Sequence, residues 1–408
     1  MLGSDYDAAV RPLTIAVVGA GTAGTAAALF LARAGHEVTL IERVPSPTAV
    51  GAGIVLQPSG RAVLARLGLE APVLSSGARL TGLRCRSLSH TLLEMRYERL
   101  HKGLFGLGLH RGVLFRTLFD AVQGSGVMLV LGHAALRLEA YGDRHFVRLD
   151  GAPRVGPFEL VVIADGARSM LREQVLPHGV VRHYPWGALW FVGEARGPIP
   201  NGLEQAVHGT REMIGVLPTG LGPDVARGPL LSLFFSVALR EIDALRRSEL
   251  AAWKAHVFAR LPEAAGLLEQ IERWDQLLFA AYHDVVLPQW HDRGVVVIGD
   301  AAHATSPQLG QGCNLALIDA EALAGALDAH ERLEPALLAY TRARRDALGF
   351  YQHATRWLTP FFQSDDTELG WLRDAAFPLL QRVPFFERRM LESMAGLATG
   401  WFSADAAG

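Results

Sequence analysis

The sequence predicts an α/β chain in three parts: a βαβ domain on a parallel sheet, a second domain on an antiparallel sheet, and a helical C-terminal segment. Three observations predict it. "LTIAVVGAG", "TAGTAAALFLARAG" and "HEVTLIE" read as strand, glycine turn, helix and strand within residues 13–42. From about residue 183, "ALWFVGEA", "EQAVHG", "REMIGVLP" and "PLLSLFFSVA" follow one another as strands separated by Pro and Gly, with no helix between them. After Asn314, Leu and Ala recur at helical spacing, and the chain stays mostly helical to its end.

The remaining elements fall between these anchors. "SGRAVLARLG" is a short helix ended by Gly68, and residues 79–97 are two strands about a turn near Ser89-His90. Residues 111–123 form a helix, followed by the strands "VMLVLG", "HFVRLD" and "ELVVIADG". Helices are expected near 248–259 and 263–273, before "FAAYHDVV" and "GVVVIG" return to strand.

Bulk composition narrows the function classes. Of 408 residues, 39 are Lys or Arg and 41 are Asp or Glu, a balance that gives no support to a nucleic-acid partner or an anionic membrane surface. Only Cys85 and Cys313 are cysteines, so a disulfide scaffold and a cysteine metal site are both excluded, and a reducing cytoplasm is expected. The stretch "MLGSDYDAAVRPL" has no basic start or long apolar run, so no signal peptide is read there, and no apolar run is long enough to span a membrane.

"GAGTAG" supplies Gly19, Gly21 and Gly24 in a G-x-G-x-x-G pattern, with Ala23 inside it. It follows a β-branched strand and opens an Ala-rich helix, the context that gives this short pattern meaning. Gly19 permits the tight turn, Gly21 lets a pyrophosphate approach the backbone, and Gly24 lets helix and strand pack closely. The free N–H groups and dipole of the helix favour the phosphates. Glu42, at the end of the second strand, is placed to accept bonds from ribose hydroxyls. The domain is therefore Rossmann-like, and NAD and FAD fit it equally well.

A second stretch decides between them. "GDAAHATSPQLGQGCN", from Gly299 to Asn314, stands between a buried strand and a helix. It resembles the second FAD fingerprint of the class A flavoprotein monooxygenases, the para-hydroxybenzoate hydroxylase and ubiquinone-biosynthesis hydroxylase family. The matching positions are Gly299, Asp300, His303, Pro307, Gly310, Gly312 and Asn314. "LIER", ending in Glu42-Arg43, and "ADGARSMLR", with Asp165, Gly166, Ser169 and Arg172, agree with the same family, although Ile163 stands where Gly is usual. "GAGIVLQPSG" carries Ser59 where Asn is common, and "HRGVLFRTL" carries Arg111 where the family has an arginine near the cofactor.

The resemblance implies FAD held by Gly19, Gly21, Ala23, Gly24, Glu42, Arg43, Arg111, Asp165, Asp300, Pro307, Gly310, Gly312 and Asn314. Physically, Asp300 ends a strand at the ligand edge of the sheet, Gly310 and Gly312 let backbone approach a flat ring, and the next helix aims its N-terminal dipole at it. A bland alternative makes Asp300 a turn cap and His303 a satisfied core histidine. Cys313 is read as a space-filling thiol rather than a redox group. No metal is expected.

The resemblance further implies an FAD-dependent monooxygenase: NADPH or NADH reduces FAD, O₂ adds at C4a, and the flavin hydroperoxide hydroxylates an aromatic or polyketide-like small molecule. The discontinuous FAD-binding domain is expected over 12–78, 98–182 and 286–345, the substrate domain over 79–97 and 183–285, and the helical segment over 346–408. Trp186, Trp190, Phe191, Phe234, Phe235 and Tyr282 suit an apolar or aromatic substrate, or plain core. Arg211 and His283 are polar candidates that read equally as structural or solvent-facing, and no catalytic acid or base is assigned. The rings of "RWLTPFFQSD" and "PFFERRM" roof the pocket, pack a dimer, or fill core. A flavin-dependent halogenase, a prenyl-chain reductase and a flavin-binding protein without turnover remain open. "PWGALWFVGEARGPIP" lacks the halogenase spacing, and Lys102 and Lys254 are the only lysines.

Overall fold

The computed structural model describes residues 11–48, 51–87, 90–223 and 228–401. The N-terminal ten residues, and residues 88–89 at the expected Ser89-His90 turn, lie outside them. The expected α/β architecture is present, with the three parts in the order read from the sequence.

A six-stranded sheet runs in the order His291–Asp292, Val295–Val297, Leu160–Ile163, Thr14–Val18, Glu37–Glu42, Met128–Leu131. Every pairing is parallel except the first. Its central strands are apolar along both faces, with Ile15, Val17, Leu160, Val161, Val296 and Val297 fully buried. That is the pattern of a parallel sheet covered on both sides. The helices Thr22–Arg33 and Gly312–Asp328 share this core with Val147, Leu149 and Phe158 of a three-stranded antiparallel sheet.

The second large sheet has seven strands, in the order Leu278–Val286, Val180–Glu194, Pro229–Ala238, Glu212–Leu221, Leu203–His208, Gly82–Ser87, His90–Arg96. Pairing is antiparallel throughout, save between Leu203–His208 and Gly82–Ser87. Alternation along the strands makes two faces. Leu189, Ile214, Val216, Leu233 and Phe235 pack beneath the helix Leu250–Arg260 through Trp253 and Val257. Trp190, Met213, Val207 and Phe234 face the other way, onto Phe361, Phe362 and Phe377.

One expected helix is much shorter than the periodicity suggests. Within 263–273 only Ala265–Leu268 is α-helical, preceded by a single 3₁₀ turn at Pro262–Ala264. The Gln270 side chain accepts from the Glu194 N–H at 3.0 Å and donates to the Glu194 carbonyl at 2.9 Å, so the chain there is fastened to a sheet strand. A small sheet of Gly53–Leu56, Gly106–His110 and Ala78–Leu80, not expected from the sequence, joins the two large sheets. The Gly53 N–H donates to Ser232 Oγ at 3.0 Å.

The helix Leu333–Leu358 runs across the expected boundary at 345–346 into the C-terminal segment, which continues with Thr367–Leu380 and Pro384–Ala395. Among the described residues no helix is long and apolar enough to cross a membrane. Arg373 pins Thr367–Leu380 to the body: wholly buried, it donates to the carbonyls of Gly209 and Phe361 at 2.8 Å and to Asp374 Oδ1. Ser87 Oγ donates to the same carboxylate's other oxygen at 2.7 Å.

Close backbone approach locks the small sheet in place. A Cβ on Gly108 would lie 1.8 Å from the Pro218 carbonyl oxygen, so Gly108→Ala is expected to lower stability by about 1–3 kcal/mol in urea unfolding, as overpacking does.

Candidate functional site

Because the central strands are parallel, the turns after Val18, Ile163 and Val297 open at one edge of the sheet, together with Glu42. This carboxyl edge is where α/β sheets receive ligands. Gly19 has φ +101°, and a Cβ there would lie 2.5 Å from the Ala164 carbonyl oxygen. A Cβ on Gly24 would lie 1.8 Å from the Gly19 carbonyl oxygen, whereas Gly21 faces open space. Two glycines thus press the turn against Ala164-Asp165, and the third leaves room outside it. Thr25 N–H makes the first helical bond, to the Gly21 carbonyl at 2.9 Å, so the N–H groups of Thr22, Ala23 and Gly24 precede the helix's own bonding.

The later loop packs onto the same turn. Gly299, at φ +60°, sits so close to Ala23 that a Cβ would meet the alanine methyl at 2.7 Å. Asp300 starts the short helix Asp300–His303, is exposed, and has no hydrogen-bond partner for its carboxylate among the described residues. Pro307 opens a 3₁₀ turn closed by Gly310 at φ +61°, and no atom lies within 4 Å of a Cβ built there. A Cβ on Gly312 would be 3.9 Å from Asp300 Oδ1. The helix Gly312–Asp328 has no side-chain cap, and its first bond is Leu315 N–H to the Gln311 carbonyl at 2.9 Å.

Charges ring this open edge. Arg43 and Arg111 are exposed, and neither forms an ion pair among the described residues. Asp165 is open on one side, yet its protein surroundings desolvate the carboxyl and raise its pKa. The Ser169 hydrogen bond and the charges of Arg172 and Arg43 oppose that shift. Arg111 and Asp300 both act on Cys313, whose thiol is nevertheless pushed up to about 12 by burial, the state of an inert space-filling thiol.

Several expected site residues are spent on protein. Asn314 is fully buried. Its Oδ1 accepts from Gln57 N–H at 2.8 Å, and its Nδ2 donates to the Val55 carbonyl at 3.2 Å, stapling the loop helix to the segment before Pro58–Arg66. Glu42 braces the glycine turn, accepting from Ala20 N–H at 2.8 Å and from Val44 N–H at 3.0 Å. A carboxylate has about four acceptor sites, so capacity remains for a hydroxyl.

Residues outside the expected cofactor-holding set hold the loop. Asp319 is fully buried and accepts from Gly299 N–H at 2.9 Å, from Arg344 Nε at 2.8 Å, and from His303 Nε2 on the oxygen shared with Gly299. Burial alone would raise its pKa; the charges of His303 and Arg344 outweigh that and hold it at about 2. Arg172, also buried, donates to the carbonyls of Ala167 and Ala301 at 3.0 Å, tying the Asp165 segment to the Asp300 segment. Gln311 Nε2 donates to the carbonyls of Ser393 and Met394 at 2.9 Å, tying the loop to the last helix. The signal for Asp319 was an acid flanked by Ile318 and Ala320 on the apolar run "LALIDAEALAGALD"; Arg344 is lost among the arginines of "TRARRD".

The residues fit an extended dinucleotide carrying a flat ring: uncapped helix starts for its phosphates, free carboxylate and guanidinium groups along its length, and glycines with open space above them. That edge defines a dinucleotide-binding flavoprotein class. Residues 13–349 match the FAD binding domain family, and the chain belongs to it. It is 32% identical over 404 residues to 3-amino-4-hydroxybenzoate 2-monooxygenase of Streptomyces cremeus, covering 90% of this chain and 97% of the relative. It is 29% identical over 407 residues to kynurenine 3-monooxygenase of Xanthomonas oryzae pv. oryzae (strain PXO99A), covering 92% and 85%. The fold matches a point variant of HpxO of Klebsiella pneumoniae complexed with FAD at a TM-score of 0.77, with 21% identity over 93% of this chain and 99% of that one. The family is that of FAD-dependent monooxygenases, as the two fingerprints led one to expect.

The polar and aromatic candidates separate. Arg211 forms a surface ion pair with Glu241. His283 packs against His183 with the rings tilted, their centroids 4.5 Å apart. Phe191 and Phe235 belong to the helix-covered core, whereas Trp190 packs on Phe234 at 5.3 Å and donates to Tyr282 Oη at 3.2 Å on the opposite face. Lys254 Nζ donates to the Ile271 carbonyl at 2.9 Å, and Lys102 is exposed.

Asp319→Asn is expected to cost about 3–5 kcal/mol, since it strands Arg344 and His303 in the interior. The wild-type carboxylate has a folded pKa below its unfolded value. Its stabilisation is therefore complete above pH ~4 and is lost as pH falls toward 2, a contribution of about 2 kcal/mol. Urea unfolding between pH 7 and 2 should show the two proteins converging at the acid end.

Proposed function

We propose that this chain uses FAD and either NADH or NADPH to place one oxygen atom from O₂ on an aromatic or apolar small molecule. The observation that carries the reading is the meeting, at one sheet edge, of the Gly19–Gly24 turn, the Asp165 segment and the Asp300–Gly312 loop, with Arg43, Arg111 and Asp300 left without protein partners among the described residues. The two monooxygenase relatives act, by their names, on aminohydroxybenzoate and kynurenine, which supports an aromatic substrate.

In this reading the N–H groups of Thr22, Ala23 and Gly24 and the Arg43 guanidinium hold the pyrophosphate, and Glu42 takes a ribose hydroxyl. Asp300 takes hydroxyls of the ribityl chain. The uncapped N–H groups at Gly312 and Cys313 stabilise negative charge on the ring's polar edge. Arg111 supplies further positive charge there. Bound FAD supplies the oxygen activation and transfer. The seven-stranded sheet offers Trp190, Phe234 and Tyr282 as an apolar wall, which Phe361 and Phe362 help to shield from water.

The division of labour follows the same lines: 12–78, 98–182 and 286–345 bind FAD, 79–97 and 183–285 bind substrate, and 346–408 are the C-terminal segment. The thiols of Cys85 and Cys313 are both free, which supports a cytoplasmic setting.

Asp300→Ala should lose most bound FAD, read as the flavin-to-protein ratio after reconstitution and desalting; an unchanged ratio removes the role given to this carboxylate. For wild type, an aromatic substrate should stimulate NAD(P)H oxidation with matching O₂ uptake and no dependence on halide.

A further inference from the structure

The helix Thr367–Leu380 is apolar on two sides. Its inward side carries the buried Arg373 and the half-buried Phe377, packed on Phe362, while its outward side carries Trp371, Leu372, Ala375 and Leu379, all exposed. Trp371 is 81% exposed, extreme for so large a ring. The helix cannot roll to hide this face, because the Arg373 bonds to Gly209 and Phe361 fix its rotation.

Trp371, Ala375 and Leu379 form one stripe along the helix. The stripe ends in Glu368 at one side and in Arg382 at the other, the latter still in a helical turn through its N–H bond to the Leu379 carbonyl. Both are exposed, and neither is in an ion pair among the described residues. The spacing of 368, 371, 375, 379 and 382 is three, four, four, three, so it reads alike from either end about Ala375. Such a stripe meets its own copy in antiparallel register with acid facing base.

We propose that this face pairs with the same face of a second copy of the chain across a twofold axis at Ala375. Trp371 then packs on Leu379 of the partner subunit, and Glu368 meets Arg382 of the partner subunit, as isologous contacts require. The small Ala375 lets the helices cross closely. Val383, Phe385 and Phe386, beyond the end of this helix, are also exposed. Surface charge selects against an anionic bilayer: over residues 365–392 six acidic groups outnumber four arginines. The proposal does not depend on the flavin reading.

The test is light scattering and sedimentation of the FAD-reconstituted protein at micromolar concentration. Wild type should be a dimer and Trp371→Glu a monomer with unchanged flavin content, and the wild-type Tm should fall toward the variant's as the protein is diluted. Glu368→Arg should weaken the dimer at least tenfold, and the added Arg382→Glu should restore it. Ala375→Cys should form an intermolecular disulfide under mild oxidation. A monomeric wild type would overturn the proposal. So would a dimer indifferent to Trp371→Glu, or one whose Ala375→Cys form does not cross-link. A monomer that sediments with phosphatidylserine vesicles through Trp371 would assign the face to a membrane instead.

Discussion

The Asp319 carboxylate is the interaction on which the cofactor edge depends. It stands on an apolar helix, fully buried, and reaches across to the N–H of Gly299, a residue whose φ of +60° no ordinary side chain adopts cheaply. Its charge is kept by His303 and Arg344, which come from the loop itself and from the long helix Leu333–Leu358. One buried group thereby sets the relative position of a strand end, a loop and two helices. Hydrophobic packing alone is too tolerant to fix such a loop, whereas a satisfied buried charge permits one arrangement.

Around that fixed point, polar groups divide by whether protein has already claimed them. Asn314, Arg172 and Gln311 are buried and bonded to backbone, so they shape the edge from behind. Asp300, Arg43 and Arg111 are exposed and unclaimed among the described residues, so their unmet electrostatic demand points outward. Glu42 stands between, bracing Ala20 and Val44 while keeping acceptor capacity. Open glycines beside unclaimed charges mark a ligand surface more clearly than concavity does.

Much of this was legible in the sequence because the controlling physics is local. A βαβ unit with three glycines needs only neighbouring residues to declare itself, as does "GDAAHATSPQLGQGCN". The strands after residue 183 were legible because turn residues separate β-branched and aromatic runs. What escaped was decided at a distance. The helix expected over 263–273 shrank because Gln270 bonds Glu194, 76 residues away. Arg344 could not be told from its neighbouring arginines until Asp319 was seen opposite it. The joining sheet of Gly53–Leu56, Gly106–His110 and Ala78–Leu80 is too short and too glycine-rich to show a period. Asn314 was expected among the residues that hold the cofactor, and its side chain bonds the backbone of Gln57 and Val55.

The grip of Gln311 on Ser393 and Met394 spans 82 and 83 residues. On the ribosome, those carbonyls emerge long after the loop they steady. A nascent chain can complete its parallel sheet and still lack the backing of this turn, which arrives only when the final helices have docked.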